Sequence, residues 1–158
     1  MQGYKEKRKE NKADLIEIKQ VDEIKMVLDK FQLILPQLSQ SNQYRFDMSK
    51  KLLENAFFIA LRLESDIIGF IAFYANDFVS HTAYVSLIAV DDGYRGLDYG
   101  RQLFEFACDR SCEMGMNKLK LEVLKNNTGA ISFYRKMGLV YLCDASDESI
   151  YLIKRIGD

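Results

Sequence analysis

The run Leu87-Ile88-Ala89-Val90-Asp91-Asp92-Gly93-Tyr94-Arg95-Gly96-Leu97-Asp98-Tyr99-Gly100-Arg101 joins an apolar strand to an amphipathic helix through a glycine-bearing turn. Such a turn aims several unpaired backbone N–H groups and the positive end of a helix dipole at one spot. The chemistry that fits is the binding of an anion such as a pyrophosphate. Gly96 and Gly100 would let the anion approach the backbone, and Arg95 and Arg101 would add positive charge at its rim. The same residues also suit a tight connection whose glycines only satisfy backbone angles. There is no G-x-x-x-x-G-K-S/T run, and the segment follows an antiparallel meander instead of opening a βαβ unit. The familiar nucleotide loops are therefore set aside.

A second run lies downstream: Leu121-Glu122-Val123-Leu124-Lys125-Asn126-Asn127-Thr128-Gly129-Ala130-Ile131-Ser132-Phe133-Tyr134-Arg135-Lys136-Met137-Gly138-Leu139. Together the two runs resemble the GNAT superfamily of N-acetyltransferases. In that family a strand ending in Val and a Q/R-x-x-G-x-G/A turn form the pyrophosphate loop. A later strand followed by N-x-x-A-x-x-x-Y-x-x-x-G-F/L supplies an asparagine near the pantetheine arm and a tyrosine near the thioester sulfur. The matching residues are Val90, Arg95, Gly100, Asn127, Ala130, Tyr134, Gly138 and Leu139. One position departs: the family's middle glycine falls on Asp98. Aspartate tolerates unusual φ better than most residues, but its carboxylate beside a pyrophosphate should weaken binding unless it points away.

The resemblance implies acetyl-CoA as acyl-donor cosubstrate and a primary amine as acceptor, joined by direct attack in a ternary complex. It implies a cofactor site of Ile88, Ala89, Val90, Arg95, Gly96, Leu97, Asp98, Tyr99, Gly100, Arg101, Asn127 and Tyr134. Backbone N–H groups around Ile88 to Val90 would stabilise the oxyanion. Tyr134 would protonate the departing thiolate, and Glu122, in a Leu-Glu-Val context, is the candidate base. Each has a plainer alternative. Tyr134 shares a helical face with Ala130 and Ile131 and could be core, Asn127 could only cap its helix, and Glu122 could be a surface carboxylate paired with Lys120. His81, the single histidine, reads as an exposed loop residue.

The elements that must position these residues alternate in type. Strands are predicted over 13–19, 56–63, 67–75, 83–90, 118–124, 139–143 and 149–156. Helices are predicted over 21–38 with a kink at Pro36, over 47–55 with Asp47 as N-cap, and over 97–115 and 128–137. The three strands from Ala56 to Val90 are near-continuously apolar, as expected of sheet covered on both faces. In the 97–115 helix Leu103, Phe104, Ala107, Ser111 and Met114 share one face, with Gln102, Glu105, Asp109 and Glu113 opposite. The expected fold is α/β (α+β): a mixed, mostly antiparallel sheet with helices on both faces.

At 158 residues the chain reads as one domain over 13–158, behind a polar, frayed N-terminal tail over 1–12. A formal net charge of −1 gives no field to recruit nucleic acid or an acidic membrane. The longest apolar stretch, Ile67 to Ala75, is too short to span a bilayer, and the charged N-terminus has no apolar run of a secretory signal, so the expected location is cytoplasmic. Cys108, Cys112 and Cys143 form no disulfide framework and, lacking a nearby histidine, no zinc site, so no metal is expected. A homodimer is compatible with the family resemblance. The alternatives are a non-catalytic acyl-CoA-binding or regulatory module of the same fold, and a nucleotide switch. The acceptor's pocket would draw on residues 40–46, 74–77 and 141–148, compatible with an amino sugar, an amino acid, a polyamine or a peptide N-terminus.

Overall fold

The computed structural model describes residues 13–157; the tail expected over 1–12 lies outside them. Strand β1 (Asp14–Glu17) leads to helix α1 (Val21–Phe31), a 3-10 turn (Pro36–Leu38) and helix α2 (Asn42–Asn55). Strands β2 (Phe57–Leu63), β3 (Asp66–Tyr74) and β4 (Thr82–Val90) form a meander, and a 3-10 turn (Asp92–Tyr94) enters helix α3 (Tyr99–Glu113). Strand β5 (Lys118–Leu124), helix α4 (Thr128–Lys136), and strands β6 (Val140–Asp144) and β7 (Ser149–Arg155) complete the chain. The seven-stranded sheet has the order β1-β2-β3-β4-β5-β7-β6. Only β4 and β5 pair in parallel; every other pair is antiparallel.

Two apolar clusters sandwich this sheet. Ile24, Val27, Leu28 and Phe31 of α1 and Leu52 of α2 pack on Phe58, Ala60, Phe70, Ala72, Leu87 and Ala89. On the other face Leu103, Phe104 and Ala107 of α3, with Tyr134 of α4 and Met137 just after it, pack on Ile59, Ile71, Phe73, Val85, Leu121 and Val123. Each fully buried large side chain contributes about 1.5–3 kcal/mol. Strands β2 and β3 are covered on both faces as expected. Strand β4 instead alternates between buried and half-buried residues, and β6 is exposed along its whole length at the sheet edge.

Three boundaries differ from the sequence expectation. The first helix stops at Phe31, because the residue before a proline is driven to extended backbone; Leu35 has φ −108° and ψ 98°, and Pro36 opens the 3-10 turn. Helix α2 begins at Asn42, not Asp47: the Ser41 side chain accepts the Tyr44 N–H at 3.0 Å and is the true N-cap. Asp47 lies mid-helix and accepts from Gln43 at 3.0 Å. The third helix starts at Tyr99, since Asp98 is left-handed with φ 67°. Met114, placed by periodicity on its apolar face, is 39% exposed where that helix ends.

Candidate active site

Beyond four pairs, from Thr82 with Lys118 to Val85 with Leu121, β4 and β5 part company. The cause lies in β4. Ala72 of β3 faces Leu87 and Phe73 faces Val85, leaving Ser86 as a bulge that bends the strand. Past the bulge, the Asp91 N–H donates to the Ile68 carbonyl at 2.8 Å. Antiparallel donors alternate in direction, so Ala89 bonds toward β3 while the N–H groups of Ile88 and Val90 face the gap. The structure therefore separates the predicted trio: Ile88 and Val90 present donors to the splay, whereas the Ala89 side chain is buried beneath α1 and α2.

The turn at the mouth of this gap is rich in unused donors. The Asp91 carbonyl accepts the Tyr94 N–H at 2.9 Å, and the first bond of α3 runs from the Gln102 N–H to the Asp98 carbonyl at 3.1 Å. Between them, no backbone N–H from Arg95 through Arg101 donates to an acceptor among the described residues. Left-handed Gly96 (φ 77°) and Asp98 shape the turn. Gly69, across from Val90 in β3, lets β4 and α3 close in: a Cβ there would lie 2.9 Å from the Ala89 carbonyl and 3.4 Å from Leu103.

The charges of the turn are arranged differently from the expectation. Arg95 pairs with Asp92 at 3.1 Å, and Arg101 pairs with Asp98 at 3.6 Å. Asp98 is thus turned toward its own helix, and both rim arginines are already partly neutralised. Asp91 is within 3.8 Å of Lys30, which also donates to the Ile67 carbonyl and ties the end of α1 to this corner. Gly100 serves packing: an added Cβ would sit 3.3 Å from the Phe133 ring of α4. Leu97 is exposed, and Tyr99 stacks edge-on to Tyr94 at 6.3 Å.

Tyr134 is buried between Phe104 and Phe133, with ring centroids 6.4 and 5.4 Å away. Its hydroxyl takes no hydrogen-bond partner among the described residues, and burial pushes the phenol up to about 12. Asn127 caps α4, accepting the Ala130 N–H at 3.2 Å. Glu122 is exposed on β5, on the face opposite the buried Leu121 and Val123. It makes no ion pair with Lys120, whose ammonium lies 4.7 Å over the Tyr151 ring. The phenol and the carboxylate consequently occupy opposite faces of the sheet, and the β4–β5 splay is the opening between them. His81 is exposed, with Nδ1 3.2 Å from the Gly115 carbonyl.

Sequence reading missed Tyr84 and Tyr151. Tyr84 lies beside Lys120 in register and Tyr151 beside Glu122. Burial, followed by the negative charge of Glu122, raises the Tyr84 phenol above its ordinary range. Strand alternation could have paired these residues only if the β4–β5 adjacency had been known. A cavity of about 470 Å³ opens on this face, lined in part by Tyr74, Asp77, Tyr84, Lys118, Lys120 and Leu142. Among the described residues no cluster of His, Cys, Asp or Glu is arranged to hold a metal ion, and no helix is long and apolar enough to cross a membrane.

Comparison with known proteins converges on one family. Its sequence profile, that of the Acetyltransferase (GNAT) family, matches residues 24–139. Streptothricin acetyltransferase of Streptomyces lavendulae is 35% identical over 89 residues, which cover 53% of this chain and 44% of that protein. A predicted streptothricin acetyltransferase of Bacillus anthracis, solved in complex with acetyl coenzyme A, is 33% identical with a TM-score of 0.58 over 64% of this chain and 62% of that one. The chain thus spans less than two thirds of either relative. A predicted GNAT-family acetyltransferase of Desulfovibrio desulfuricans is 14% identical and shares the fold nearly end to end, with a TM-score of 0.75 over 92% of this chain and 99% of that one. With its profile matched across most of its length, this chain belongs to the GNAT family of acetyltransferases.

Proposed function

We propose that the protein is an acetyl-CoA-dependent N-acetyltransferase that acetylates a primary amine in a ternary complex. The observation that carries this reading is the unbroken run of N–H groups from Arg95 to Arg101, unpaired among the described residues, at the head of α3 beside the splay. That run fits a pyrophosphate, because donors and helix dipole converge without a competing acceptor. Acetyl-CoA would supply the activated acetyl group as a thioester.

The chain's own residues would do the rest. The N–H groups of Ile88 and Val90 would donate to the carbonyl oxygen as it gains charge. Glu122, exposed beside the opening, would take the proton from the attacking amine, directly or through water. Tyr134, kept neutral by burial, would give its proton to the departing sulfur. Asn127 would hold the start of α4, and so Tyr134, in place beside the pantetheine arm. Streptothricin, the substrate named for the relatives, is one acceptor to include in the test.

The test has two arms. Acetyl-CoA and desulfo-CoA should both raise the melting temperature, with stabilisation of about 2.7 kcal/mol at a hundredfold excess over Kd. Thiol release should then follow addition of an amine from a panel that includes streptothricin, amino sugars, amino acids and polyamines. Folded protein that shows no shift with millimolar acetyl-CoA overturns the reading. Binding without thiol release from any amine would point instead to a non-catalytic acyl-CoA-binding module.

A further inference from the structure

Helices α1 and α2 shelter β2, β3 and β4, but no residue of β5, β6 or β7 enters the cluster beneath them. The cavity beside Tyr84 therefore lies on open sheet, and its charges do not balance. Asp77 is the one carboxylate in its lining. That carboxylate is engaged within its own turn: Oδ1 accepts the N–H groups of Val79 and Ser80 at 3.1 and 3.0 Å, and Oδ2 accepts the Ser80 hydroxyl. Lys118 and Lys120 line the same cavity, and neither has an ion-pair partner among the described residues. The Tyr151 ring beneath Lys120 steadies its ammonium without neutralising it.

The order of these groups along β5 gives the cavity a direction. Lys118, Lys120 and Glu122 alternate with buried Leu119, Leu121 and Val123, so the three charged residues share one face. Side chains two apart on a strand are separated by roughly 6.5 Å. Glu122 stands past the last β4–β5 pair, at the splay, while Lys118 and Lys120 belong to the paired stretch. The Lys120 ammonium leans over the ring of Tyr151, the register partner of Glu122, so an amine held at Glu122 has one ammonium within about one strand repeat and Lys118 at about two. With two ammonium groups against the one carboxylate of Asp77, the lining is net positive, and it attracts an anion and repels a second cation.

Resting on the N-acetyltransferase reading, we propose that this cavity is the acceptor subsite, and that Lys118 and Lys120 select a primary amine bearing a carboxylate up to about 13 Å from its nitrogen. The acceptor class is then an ω-amino acid or a short peptide with a free carboxylate. A simple α-amino acid would leave Lys118 unused, and a polyamine would set its second ammonium against the lysines. Tyr84, in register with Lys120, walls the stretch between the two ends.

Three ligands separate the possibilities while keeping the amine constant: 6-aminohexanoate, 6-aminohexanamide and 1,6-diaminohexane. Each is titrated calorimetrically into the full-length protein saturated with CoA. The carboxylate should bind about tenfold more tightly than the amide or the diamine, a difference of about 1.4 kcal/mol. The double variant Lys118→Gln/Lys120→Gln should bring all three to similar affinity. Unchanged CoA affinity in that variant shows that it is folded. Equal binding of the three ligands, undetectable binding of the carboxylate, or a preference that survives the double substitution overturns the proposal. Thiol release from acetyl-CoA is scored separately. Selective binding without release would leave the carboxylate subsite standing and remove the enzymatic reading. Failure to bind CoA would remove the donor site, and the same titration without CoA would still decide the lysines.

Discussion

Tyr134 combines two properties that a proton donor to a thiolate needs: burial pushes its phenol up to about 12 and keeps it neutral, and no neighbour among the described residues claims its hydroxyl. Tyr134→Phe should therefore lower kcat by about 10²–10⁴-fold while leaving acetyl-CoA binding nearly intact. In the wild type the acid form should persist, so kcat should not fall on its account below about pH 10. Both are read from steady-state rates across pH. The companion change Glu122→Gln should flatten the rise of kcat/KM with pH; an unchanged rate and profile would return Glu122 to a surface role. Asp98 poses a different question, because it pairs with Arg101 and sits at φ 67°. Asp98→Gly would free the guanidinium, remove a negative charge from the turn and suit the left-handed backbone. Acetyl-CoA binding should tighten by about 1 kcal/mol, more at low salt than at high, as measured by titration at two ionic strengths.

At the scale of elements, α1 and α2 are joined by a buried arginine. Arg45 is 6% exposed and donates to Asp29 at 2.7 Å, to the Leu38 carbonyl at 2.9 Å and to Asn42 at 2.8 Å. Its guanidinium thereby fixes the segment between the helices. Partial burial raises the Asp29 carboxyl, but hydrogen bonds and charge from Lys25 and Arg45 outweigh it, and the net displacement is downward. A carboxyl depressed on folding stabilises above its unfolded value and loses that contribution as pH falls through the folded one. Asp29→Asn should cost about 1–3 kcal/mol at pH 7, by leaving Arg45 short of its counter-charge. The gap from wild type should stay constant down to about pH 5 and narrow below about pH 4. Urea midpoints measured across that range check both statements.

Across the whole molecule, the placement of Tyr134 and Glu122 on opposite faces argues for one step through the sheet. Donor and acceptor would meet at the splay, where the amine can attack the thioester directly without a relay through the enzyme. The cysteines fit this picture. Burial pushes Cys108 up to about 11, and the Cys112 thiol donates to the Ile156 carbonyl at 2.6 Å. Burial disfavours the thiolate at Cys108, and the Cys112 thiol is engaged by a backbone carbonyl. Initial-rate plots against both substrates should intersect instead of running parallel, and mass spectrometry should find no acetylated enzyme after incubation with acetyl-CoA alone. Parallel lines with a trapped acetyl-enzyme would refute the ternary-complex reading.

What the sequence determined by itself was local. Apolar spacing placed the strands and helices, and two short motifs named the family, because a phosphate-binding turn and a capped helix are set by neighbouring residues. Asn127 was legible as a cap for that reason. The end of α1 at Phe31 and the Ser41 cap were less so, because proline and serine each allow several local outcomes that packing must choose among. Long-range placement was not legible. That Ser86 bulges, that β4 leaves β5 after Val85, and that Arg95 and Arg101 turn to nearby aspartates are choices made by pairing across the chain. The uncovered face joining Tyr84, Lys120 and Glu122 came from tertiary structure alone. Those residues lie on two strands separated by a whole helix, and only the parallel register between β4 and β5 brings them onto one surface.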